Sequence, residues 1–515
     1  MNESASDPQG LEELARRQQK ALAMGGEAKI SKQHGLGRLT ARERIAQLLD
    51  KNSFYEVGQL AVSALPEARD KTPADGKVCG FGTINQQQIG ISADDATVMA
   101  GAGGKIGYVK EAKLHADAHR KGLAMVHLGD GGGARIPDIM GSEGQTAFVW
   151  DILSEPRNRQ TPLITAIMGE CYGGPSWAAA TSDIVIQVKG TVMAVVGPPV
   201  LAVATGEQVT PQELGGWEVH ARKTGLVDLF AENETDCFQQ IRNVLSYLPP
   251  NAQTLPPITD YTPFSDLRNE KFLQIIPNDE RYSYDMQHLL RLIADKGSLL
   301  ELKPFFDGSL ITAWGRMNGQ VVGFLANNPK VMAGAMGPGA CEKALSFIIL
   351  CDSFHIPLLF LHDTPGFFVS KAAEEQKMPL RIMNVVKALQ YSSVPKISLI
   401  VRKSYGMAHV NMLGANMGAD FVLAWPKAEI SFMSPNAAAH VLLGKKLENT
   451  PDPMAARQAF LDEMAQINAP WAAAERGYID RIIDPRDTRT ELLKALKIIG
   501  PKLSQRKMAS WPKPC

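Results

Sequence analysis

An internal repeat constrains the fold of this 515-residue chain more than any other feature. Residues 98–102 read Val-Met-Ala-Gly-Ala, and the same five letters return 233 positions later at 331–335. The same offset pairs Gly82 with Gly315, Asp130 with Asp363, Gly133 with Gly366, Pro162 with Pro395 and Gly173 with Gly406. After Gly406 the offset drifts to 237. Self-similarity of this kind indicates a duplicated structural unit.

We therefore expect two homologous domains, residues 1–255 and 256–515. The join falls in the proline-rich stretch 249–257, which is typical of a linker. The alternative is that two unrelated domains happen to contain the same common dipeptides. Chance matches would not keep one register over about ninety positions, so a duplication is favoured.

Each half alternates short apolar runs with longer amphipathic segments. In the second half we predict strands at 320–326, 357–362, 395–401 and 421–425, and helices at 341–354, 380–390 and 407–417. The first half has matching strands at 125–128 and 163–168. Apolar strands separated by helices indicate βαβ units around a buried sheet, so the fold class is α/β.

The charge balance excludes several classes of function. Lys plus Arg and Asp plus Glu both number 54, so the chain lacks the positive field that non-specific nucleic-acid binding needs. Its apolar runs are far shorter than the roughly 20 residues that span a bilayer, and no secretory leader is visible. The six cysteines form no Cys-x-x-Cys pair, which favours a reducing cytoplasm and no metal site.

Glycine-rich turns follow two apolar strands in each half. The first lies at 129–135 and is matched by 363–367, and the second lies at 169–175 and is matched by 403–408. A strand-to-helix turn leaves backbone N–H groups unpaired, and these can form an oxyanion hole or hold a phosphate. Close helix packing is the alternative for any one turn. Neither a dinucleotide fingerprint nor a P-loop occurs.

Seven short motifs follow one another in a fixed order between about residues 30 and 490. They are Leu-Gly-Arg-Leu-Thr-Ala-Arg-Glu-Arg-Ile at 36–45, Gly-Gly-Ala-Arg-Ile at 132–136, Gln-Glu-Leu-Gly-Gly at 212–216, Asn-Pro-Lys-Val at 328–331, Asp-Thr-Pro-Gly-Phe at 363–367, Arg-Lys-Ser-Tyr-Gly at 402–406 and Trp-Pro-Lys-Ala-Glu-Ile at 425–430. Together they resemble the carboxyltransferase (beta) subunits of biotin-dependent acyl-CoA carboxylases, a family that includes the propionyl-CoA and methylcrotonyl-CoA carboxylases.

The resemblance implies two crotonase-like (ClpP/crotonase superfold) ββα-spiral domains in tandem. It also implies a hexamer, built as a trimer of dimers, whose sites lie between the first half of one subunit and the second half of another. Acyl-CoA would bind mainly on the first half and biotin on the second. Because the chain has no biotin-attachment motif, a biotin carboxylase with its carrier subunit would supply the carboxylated biotin.

Residue roles follow from the same resemblance. Backbone N–H groups of Gly173 and Gly174 would hold the thioester oxygen of the acyl-CoA while its α-carbon becomes an enolate. Those of Met407 and Ala408 would hold the ureido oxygen of biotin. The substrate-binding segments would include Gly132, Gly133, Ala134, Arg135, Gly366, Gly406, His409 and Val410. No metal takes part.

Three residues depart from the family pattern. Met407 replaces a glycine, and a positive φ there would strain it. Val410 replaces an aspartate that shapes the acyl pocket of propionyl-type enzymes, which favours a longer or different acyl group. His409 could act as a general base, because its ordinary pKa is near neutrality, or it could be a hydrogen-bonded structural residue.

Several other residues are candidates with simpler interpretations. Cys171 is expected to be a buried thiol, and Asp130 and Asp363 are expected to cap turns. Arg38, Arg42 and Arg44 could meet the phosphates of coenzyme A, but a solvated helix face is favoured. Residues 452–468 are predicted to form a surface helix.

Two other functions remain open from the sequence. The same oxyanion holes could serve an acyl-CoA decarboxylase, with or without biotin. A non-catalytic assembly subunit is disfavoured because the second-strand turn keeps its glycine in both halves. The motifs leave the acyl group and the direction of the reaction undetermined.

Overall fold

The computed structural model describes residues 8–144, 158–262, 268–277, 279, 282–414, 416–447 and 451–513. The prediction that no secretory leader is present concerns residues 1–7, and one of the six cysteines is Cys515. Both lie outside the described residues. The chain divides into two compact units, Met1–Ala252 and Gln253–Cys515. None of the described helices is long and apolar enough to cross a bilayer.

The first unit is built on a seven-stranded sheet in the order β1-β2-β3-β4-β5-β7-β9, with β6 and β8 pairing separately. The first three strands are antiparallel and the others parallel. The strands are β1 Tyr55–Val57, β2 Lys77–Ile84, β3 Gln87–Asp94, β4 Ala124–Gly129, β5 Leu163–Ile167, β6 Glu170–Tyr172, β7 Ile184–Val188, β8 Val192–Ala194 and β9 Leu229–Ala231. Strands β4, β5 and β7 are buried along their whole length, as apolar parallel strands are expected to be.

Helices surround this sheet. They are α1 Pro8–Leu22, α2 Glu27–Gly35, α3 Ala41–Leu48, α4 Lys105–Arg120, α5 Ile136–Ile139, α6 Gly141–Gly144, α7 Gly174–Thr181, α8 Pro198–Thr205, α9 Pro211–Gly215 and α10 Glu234–Tyr247. Helix α3 begins with a capping box in which Thr40 and Glu43 satisfy each other's backbone N–H groups. This box fixes the start of α3 after Arg38, so Arg38 is not on the helix.

The second unit has an eight-stranded sheet in the order β10-β11-β12-β13-β14-β15-β17, with β16 pairing with β14. The strands are β10 Leu300–Leu302, β11 Leu310–Met317, β12 Gln320–Asn327, β13 Leu358–Thr364, β14 Lys396–Tyr405, β15 Phe421–Ala424, β16 Glu429–Ser431 and β17 Arg481–Ile482. The helices are α11 Lys271–Ile275, α12 Met286–Ile293, α13 Pro338–Ser353, α14 Lys371–Glu375, α15 Met378–Tyr391, α16 Gly406–Asn411, α17 Pro435–Leu447, α18 Pro453–Asn468, α19 Trp471–Glu475 and α20 Thr488–Ile499.

The structure reproduces the sequence repeat element by element. Strands β11 and β12 and helix α13 begin and end 233 positions after β2, β3 and α4. The strand register is also repeated, because Gly82 pairs with Ile89 and Gly315 pairs with Val322. Later elements follow the offset of 237, as β16 does with β8. The two units are therefore copies of one architecture.

Most predicted elements of the second half are confirmed, including the surface helix at 452–468, which is α18. The predicted helix at 407–417 is wrong at its end, because α16 stops at Asn411. Leu413 has a φ of 69°, and a side chain on Gly414 would lie 2.3 Å from the His409 ring. A left-handed residue next to a glycine ends the helix there.

Candidate active site

The second-strand turn of the first unit offers one unpaired backbone donor. Strand β6 ends at Tyr172, Gly173 takes a φ of 65°, and α7 begins at Gly174. The N–H of Gly173 donates to the carbonyl of Ala194 at 3.2 Å, and Pro175 has no N–H. The N–H of Gly174 has no acceptor within the described residues. Of the two donors that the sequence predicted here, the structure therefore leaves Gly174 open to a ligand.

The glycine loop after β4 lies against this turn. Gly133 has a φ of 96°, and a side-chain carbon on Gly173 would lie 3.9 Å from the Gly133 Cα atom. Gly103 donates to the carbonyl of Gly133 and accepts from the N–H of Arg135, both at 2.8 Å. The intervening N–H of Ala134 points away from Gly103 and has no acceptor within the described residues. Ala134 is thus a second candidate donor beside Gly174.

Arg135 holds this loop in place. Its guanidinium is buried and forms ion pairs with Asp75 and, at 2.6 Å, with Asp138. Ser63 donates to the same Asp138 carboxylate at 2.7 Å. Two carboxylates occupy the Arg135 guanidinium, so the side chain holds the loop in place, and the predicted part of Arg135 in substrate binding stays a prediction.

The matching turn of the second unit has the same backbone plan. Gly406, after β14, has a φ of 59°, and Met407 is not among the residues with a positive φ. The strain considered for Met407 is therefore absent. Within the described residues, neither the N–H of Met407 nor that of Ala408 has an acceptor. Both predicted donors of this turn remain unpaired.

The loop after β13 has the same backbone hydrogen bonds as the glycine loop after β4. Gly366 has a φ of 126°, and Met336 donates to its carbonyl at 3.1 Å and accepts from Phe368 at 3.0 Å. These bonds repeat, 233 positions later, the ones that Gly103 makes in the first unit. Gly366 therefore shapes a loop, and Phe367 takes the place of Ala134.

His409 is a hydrogen-bonded side chain next to the second-unit turn. Its Nδ1 atom lies 2.8 Å from the Ser404 hydroxyl, which lies 2.8 Å from Nδ1 of His362. Burial lowers the pKa of His409, and burial with the nearby His409 ring lowers that of His362 well below its ordinary value. Both imidazoles are neutral at pH 7. These contacts support the structural interpretation of His409, and Val410 is half-buried beside it.

Asp130 and Asp363 pair with arginines. Asp130 lies 2.9 Å from Arg44, which also meets Glu234 at 2.7 Å, and all three side chains are buried. Asp363 lies 3.0 Å from Arg402. The expectation that Asp130 caps its turn is wrong, because its carboxylate accepts from the side chains of Arg44 and Gln33. Asp363 does contact a turn as expected, because its carboxylate accepts the N–H of Lys403 at 3.4 Å in addition to the Arg402 guanidinium.

Two of the three arginines of the first motif, Arg42 and Arg44, are engaged in ion pairs and do not form a phosphate site. Arg44 is buried in the ion pairs just described, and Arg42 pairs with Glu56 at 2.8 Å. The favoured alternative, a solvated helix face, is also wrong for Arg44. Cys171 is a buried free thiol whose pKa is raised by burial, as expected.

The first unit contains two spaces that bear on this site. A cavity of about 20 Å³ borders Gly174 and is otherwise lined mainly by Lys77, Ser92, Asp94, Tyr108, Glu111 and His127. A groove of about 440 Å³ runs along α1 and is bordered by Arg16, Arg17, Lys20 and Arg69, with Ser63 and Ala74 at one side. Its volume lies in the range of small-molecule sites, roughly 300–1,000 Å³. Because Ser63 bonds the Asp138 that holds Arg135, the groove adjoins the glycine loop.

Residues 32–510 match the carboxyl transferase domain family. The chain belongs to that family. Over 96% of its length it is 35% identical to the methylmalonyl-CoA decarboxylase subunit alpha of Veillonella parvula, covering 97% of that protein. It is 36% identical to the methylmalonyl-CoA carboxyltransferase 12S subunit of Propionibacterium freudenreichii subsp. shermanii, with 96% and 95% of the two chains covered.

A solved structure agrees with this membership of the carboxyl transferase family. A crystal structure of transcarboxylase 12S, described as a hexamer with methylmalonyl-coenzyme A and methylmalonic acid bound, matches with a TM-score of 0.90 and 36% identity. The alignment covers 96% of each chain. The predicted fold, two crotonase-like domains in tandem, is confirmed, and so is the prediction of an acyl-CoA carboxyltransferase-type enzyme.

Sequence reasoning missed the residues that support the turns of this carboxyl transferase. It overlooked Gly103 and Met336, whose bridges shape the two glycine loops. It also overlooked the charged side chains around the cavity at Gly174. The sequence did carry a sign of these charged side chains. The residues 233 positions later, at the equivalent places of the second half, are mostly apolar.

Proposed function

We propose that this chain is the carboxyltransferase component of a biotin-dependent acyl-CoA carboxylase. The observation that carries the proposal is the pair of equivalent turns, each with an N–H that has no acceptor in the described part of the chain and that directly follows a glycine of positive φ. We assign the acyl-CoA to the first unit and the biotin to the second. Gly174 and Met407 are then the corresponding donors of the two oxyanion holes.

The first unit offers features suited to coenzyme A. The groove along α1 is lined by four cationic side chains, Arg16, Arg17, Lys20 and Arg69. Glu13 pairs with Arg16 and Arg17, and Asp70 pairs with Lys20, so a phosphate would replace these exposed carboxylates, whereas Arg69 has no ion pair within the described residues. Phosphate groups are recognised by such clusters. The nucleotide end of coenzyme A would lie in this groove, and the thioester would reach the glycine loop.

At the turn, the chain acts through its backbone. When the α-carbon of the acyl group loses its proton, negative charge moves to the thioester oxygen, where the N–H groups of Gly174 and Ala134 stabilise it. The dipole of α7 has its positive end at Gly174 and adds to this effect. One such donor is commonly worth about 10²–10³ in rate.

The second-unit turn fits the ureido oxygen of biotin. The N–H groups of Met407 and Ala408 would donate to such an oxygen without any change of the backbone, because neither has an internal acceptor within the described residues. Carboxylated biotin, when a partner brings it, would supply CO₂, and the biotin that remains after CO₂ has left would accept the α-proton. Met407 and Ala408 would hold the ring in the orientation that this exchange requires.

We propose the assembly and partners that the resemblance implied. These are a homo-hexamer in which the first-unit turn of one copy and the second-unit turn of another serve one reaction, and a separate biotin carboxylase with a biotin carrier subunit. Transcarboxylase 12S, at 36% identity, assembles as a hexamer. The five cysteines that the structure describes are free thiols, which supports a cytoplasmic location.

Decarboxylation is the second candidate, favoured by the identity of 35% to the Veillonella parvula decarboxylase subunit. The same enolate would form at Gly174 by loss of CO₂ from a carboxylated acyl-CoA. The two functions share every residue named above and differ in their partner proteins.

The deciding assay combines the purified chain with the biotin carboxylase and carrier subunits, ATP and labelled bicarbonate. Acetyl-, propionyl-, butyryl- and longer acyl-CoA thioesters are compared as acceptors. Label in a carboxylated acyl-CoA supports carboxylation. Release of CO₂ from methylmalonyl-CoA, with no incorporation into any acceptor, would instead identify a decarboxylase.

A further inference from the structure

A continuous chain of polar side chains crosses the first unit from its surface to the cavity at Gly174. His115, half-buried on α4, contacts His127 of β4 through the two Nε2 atoms. Nδ1 of His127 lies 2.6 Å from the Ser92 hydroxyl, and Ser92 donates to Glu111 at 2.8 Å. Glu111 borders the cavity. Every member of this chain except His115 is more than nine-tenths buried.

Charged groups extend the chain to the glycine loop. Lys77 of β2 lies 2.9 Å from Glu111 and 2.6 Å from Asp94. Asp94 in turn accepts the N–H of Asp130, at the start of the glycine loop, at 3.3 Å. Although burial alone would lower it, the two carboxylates raise the pKa of Lys77 well above its ordinary value, so Lys77 stays charged.

The sequence places these groups together for simple geometric reasons. Tyr108, Glu111 and His115 are three and four residues apart and share one face of α4. Ser92 and Asp94 are two residues apart and share one face of β3. That face of α4 packs over β2, β3 and β4, so the polar groups meet between helix and sheet.

The second unit shows that the fold does not require this polarity. The equivalent positions hold Leu310, Leu325, Asn327, Ala344, Ile348 and Phe360, in place of Lys77, Ser92, Asp94, Glu111, His115 and His127. All six are buried in the same architecture. Burying ion pairs instead of apolar side chains usually brings no net stability. The polar set of the first unit therefore serves something other than folding.

We infer that His115, His127, Ser92 and Glu111 form a proton relay between solvent and the cavity at Gly174. Imidazoles and hydroxyls both donate and accept hydrogen bonds, so the chain can pass a proton in either direction. A cavity of about 20 Å³ has room for one water molecule. The relay gives the chain an activity of its own, the exchange of the α-hydrogen of a bound acyl thioester with solvent in the absence of biotin.

The α-carbon–hydrogen bond breaks, its electron pair forms the enolate held at Gly174, and the proton passes through the cavity water and the Ser92 hydroxyl to His127. His127 and His115 carry that proton to solvent. Although burial alone would raise it, Lys77 and His127 hold the pKa of Glu111 well below its ordinary value, so Glu111 stays a carboxylate and stabilises the protonated His127 at 3.2 Å. In heavy water a deuteron returns by the same route to the α-carbon, and one HOD molecule leaves for each hydrogen replaced. Lys77 and Asp94 are positioning residues that hold Glu111 and the glycine loop.

The test incubates the full-length protein with propionyl-CoA in heavy water, without biotin or partner proteins, and follows deuterium in the acyl group by mass spectrometry. Wild type should incorporate deuterium. His115→Ala should lose about 100-fold of this rate, and added imidazole should restore it, because His115 lies near solvent. His119→Ala, on the same helix but outside the relay, should exchange like wild type. His127→Phe introduces the residue that the second unit has there, and it should lose exchange without rescue by imidazole.

The inference rests on the proposed function, and the outcomes separate the two. If wild type carboxylates acyl-CoA with its partners but never exchanges the α-hydrogen alone, the relay is contradicted and the proposed function stands. Exchange by His115→Ala at the wild-type rate also contradicts the relay. If wild type neither exchanges nor carboxylates, both the relay and the proposed function are overturned.

Discussion

Met407 stands in the second unit where Gly174 stands in the first, 233 positions apart, and each follows a glycine with a φ near 60°. The positive φ falls on Gly173 and Gly406, so the next residue can carry any side chain. A methionine, 43% exposed, therefore replaces a glycine without disturbing the N–H that points from the turn.

This relationship predicts the effect of substitutions at Met407. Met407→Pro removes the N–H, and we expect carboxyl transfer to fall about 10²–10³-fold while acyl-CoA binding is kept. Met407→Ala keeps the N–H and should stay within a few-fold of wild type. Steady-state transfer assays and calorimetric titration with acyl-CoA check both variants. Equal losses in the two variants would show that the side chain, not the N–H, matters.

Arg69 offers a test of the coenzyme A groove. It is exposed at the groove along α1, where a carboxylate would oppose phosphate binding. Arg69→Glu should raise the KM for acyl-CoA about tenfold with little change in kcat, which corresponds to about 1.4 kcal/mol of uniform binding. Lys51→Glu, on the surface of the same unit but outside the groove, is the matched control. An unchanged KM for Arg69→Glu would place coenzyme A elsewhere.

Arg44 is predicted to matter for stability. Arg44→Met would leave Asp130 and Glu234 buried without their cation, at a cost of about 3–5 kcal/mol. Thermal unfolding of the variant should show a clearly lower midpoint. Arg38→Met, which lies before the capped start of α3, should leave the midpoint almost unchanged. Similar midpoints for both variants would contradict the role given to Arg44.

Lys343 predicts a specific dependence of stability on pH. Burial lowers the pKa of its ammonium from 10.5 to about 8, so between these values the unfolded chain binds more protons than the folded one. Stability contributed by this site therefore rises with pH across that window, and below pH 8 the buried charge destabilises the fold by about 3 kcal/mol. Lys343→Met should raise the unfolding midpoint at pH 7 and give a smaller gain at pH 10.

Lys110, the counterpart of Lys343 in the first unit, is the control. Its ammonium donates to the carbonyls of Ala74 at 2.6 Å, Gly58 at 3.3 Å and Lys77. Burial lowers the pKa of Lys110 as well, but Lys343 donates only to the Phe306 carbonyl, at 3.2 Å, among the described residues. Lys110→Met would leave three acceptors unpaired and should lower the midpoint, by an amount equivalent to about 1–3 kcal/mol. A gain that does not shrink with pH for Lys343→Met would contradict the account of that buried charge.

Much of this fold could be predicted from the sequence because the repeat and the apolar periodicity are local, countable features. The offset of 233 located matching strands, and the glycines located the turns. The end of α16 could not be predicted, since it depends on the packing of the His409 ring against Gly414. Helix ends that are set by such tertiary contacts leave little trace in the local pattern.

The site was predictable in position but not in its hydrogen bonds. Sequence placed donors at Gly173 and Gly174, yet only the folded chain brings the Ala194 carbonyl to Gly173. The same applies to Asp130, whose partner Arg44 lies 86 residues away. Long-range packing decides which polar groups form hydrogen bonds in a buried cluster. The spacing of residues along the sequence does not predict these pairs.

The central claim is that the N–H of Gly174 stabilises the enolate oxygen, and one pair of variants tests it most directly. Gly174→Ala keeps the N–H, and its new carbon would lie 3.5 Å from Tyr108, an ordinary contact. Gly174→Pro removes the N–H. In the reconstituted carboxylation assay with propionyl-CoA and the best longer acyl-CoA, we expect Gly174→Ala to remain active and Gly174→Pro to lose about 10²–10³-fold in kcat with its assembly intact. Near-normal turnover of Gly174→Pro would contradict the account.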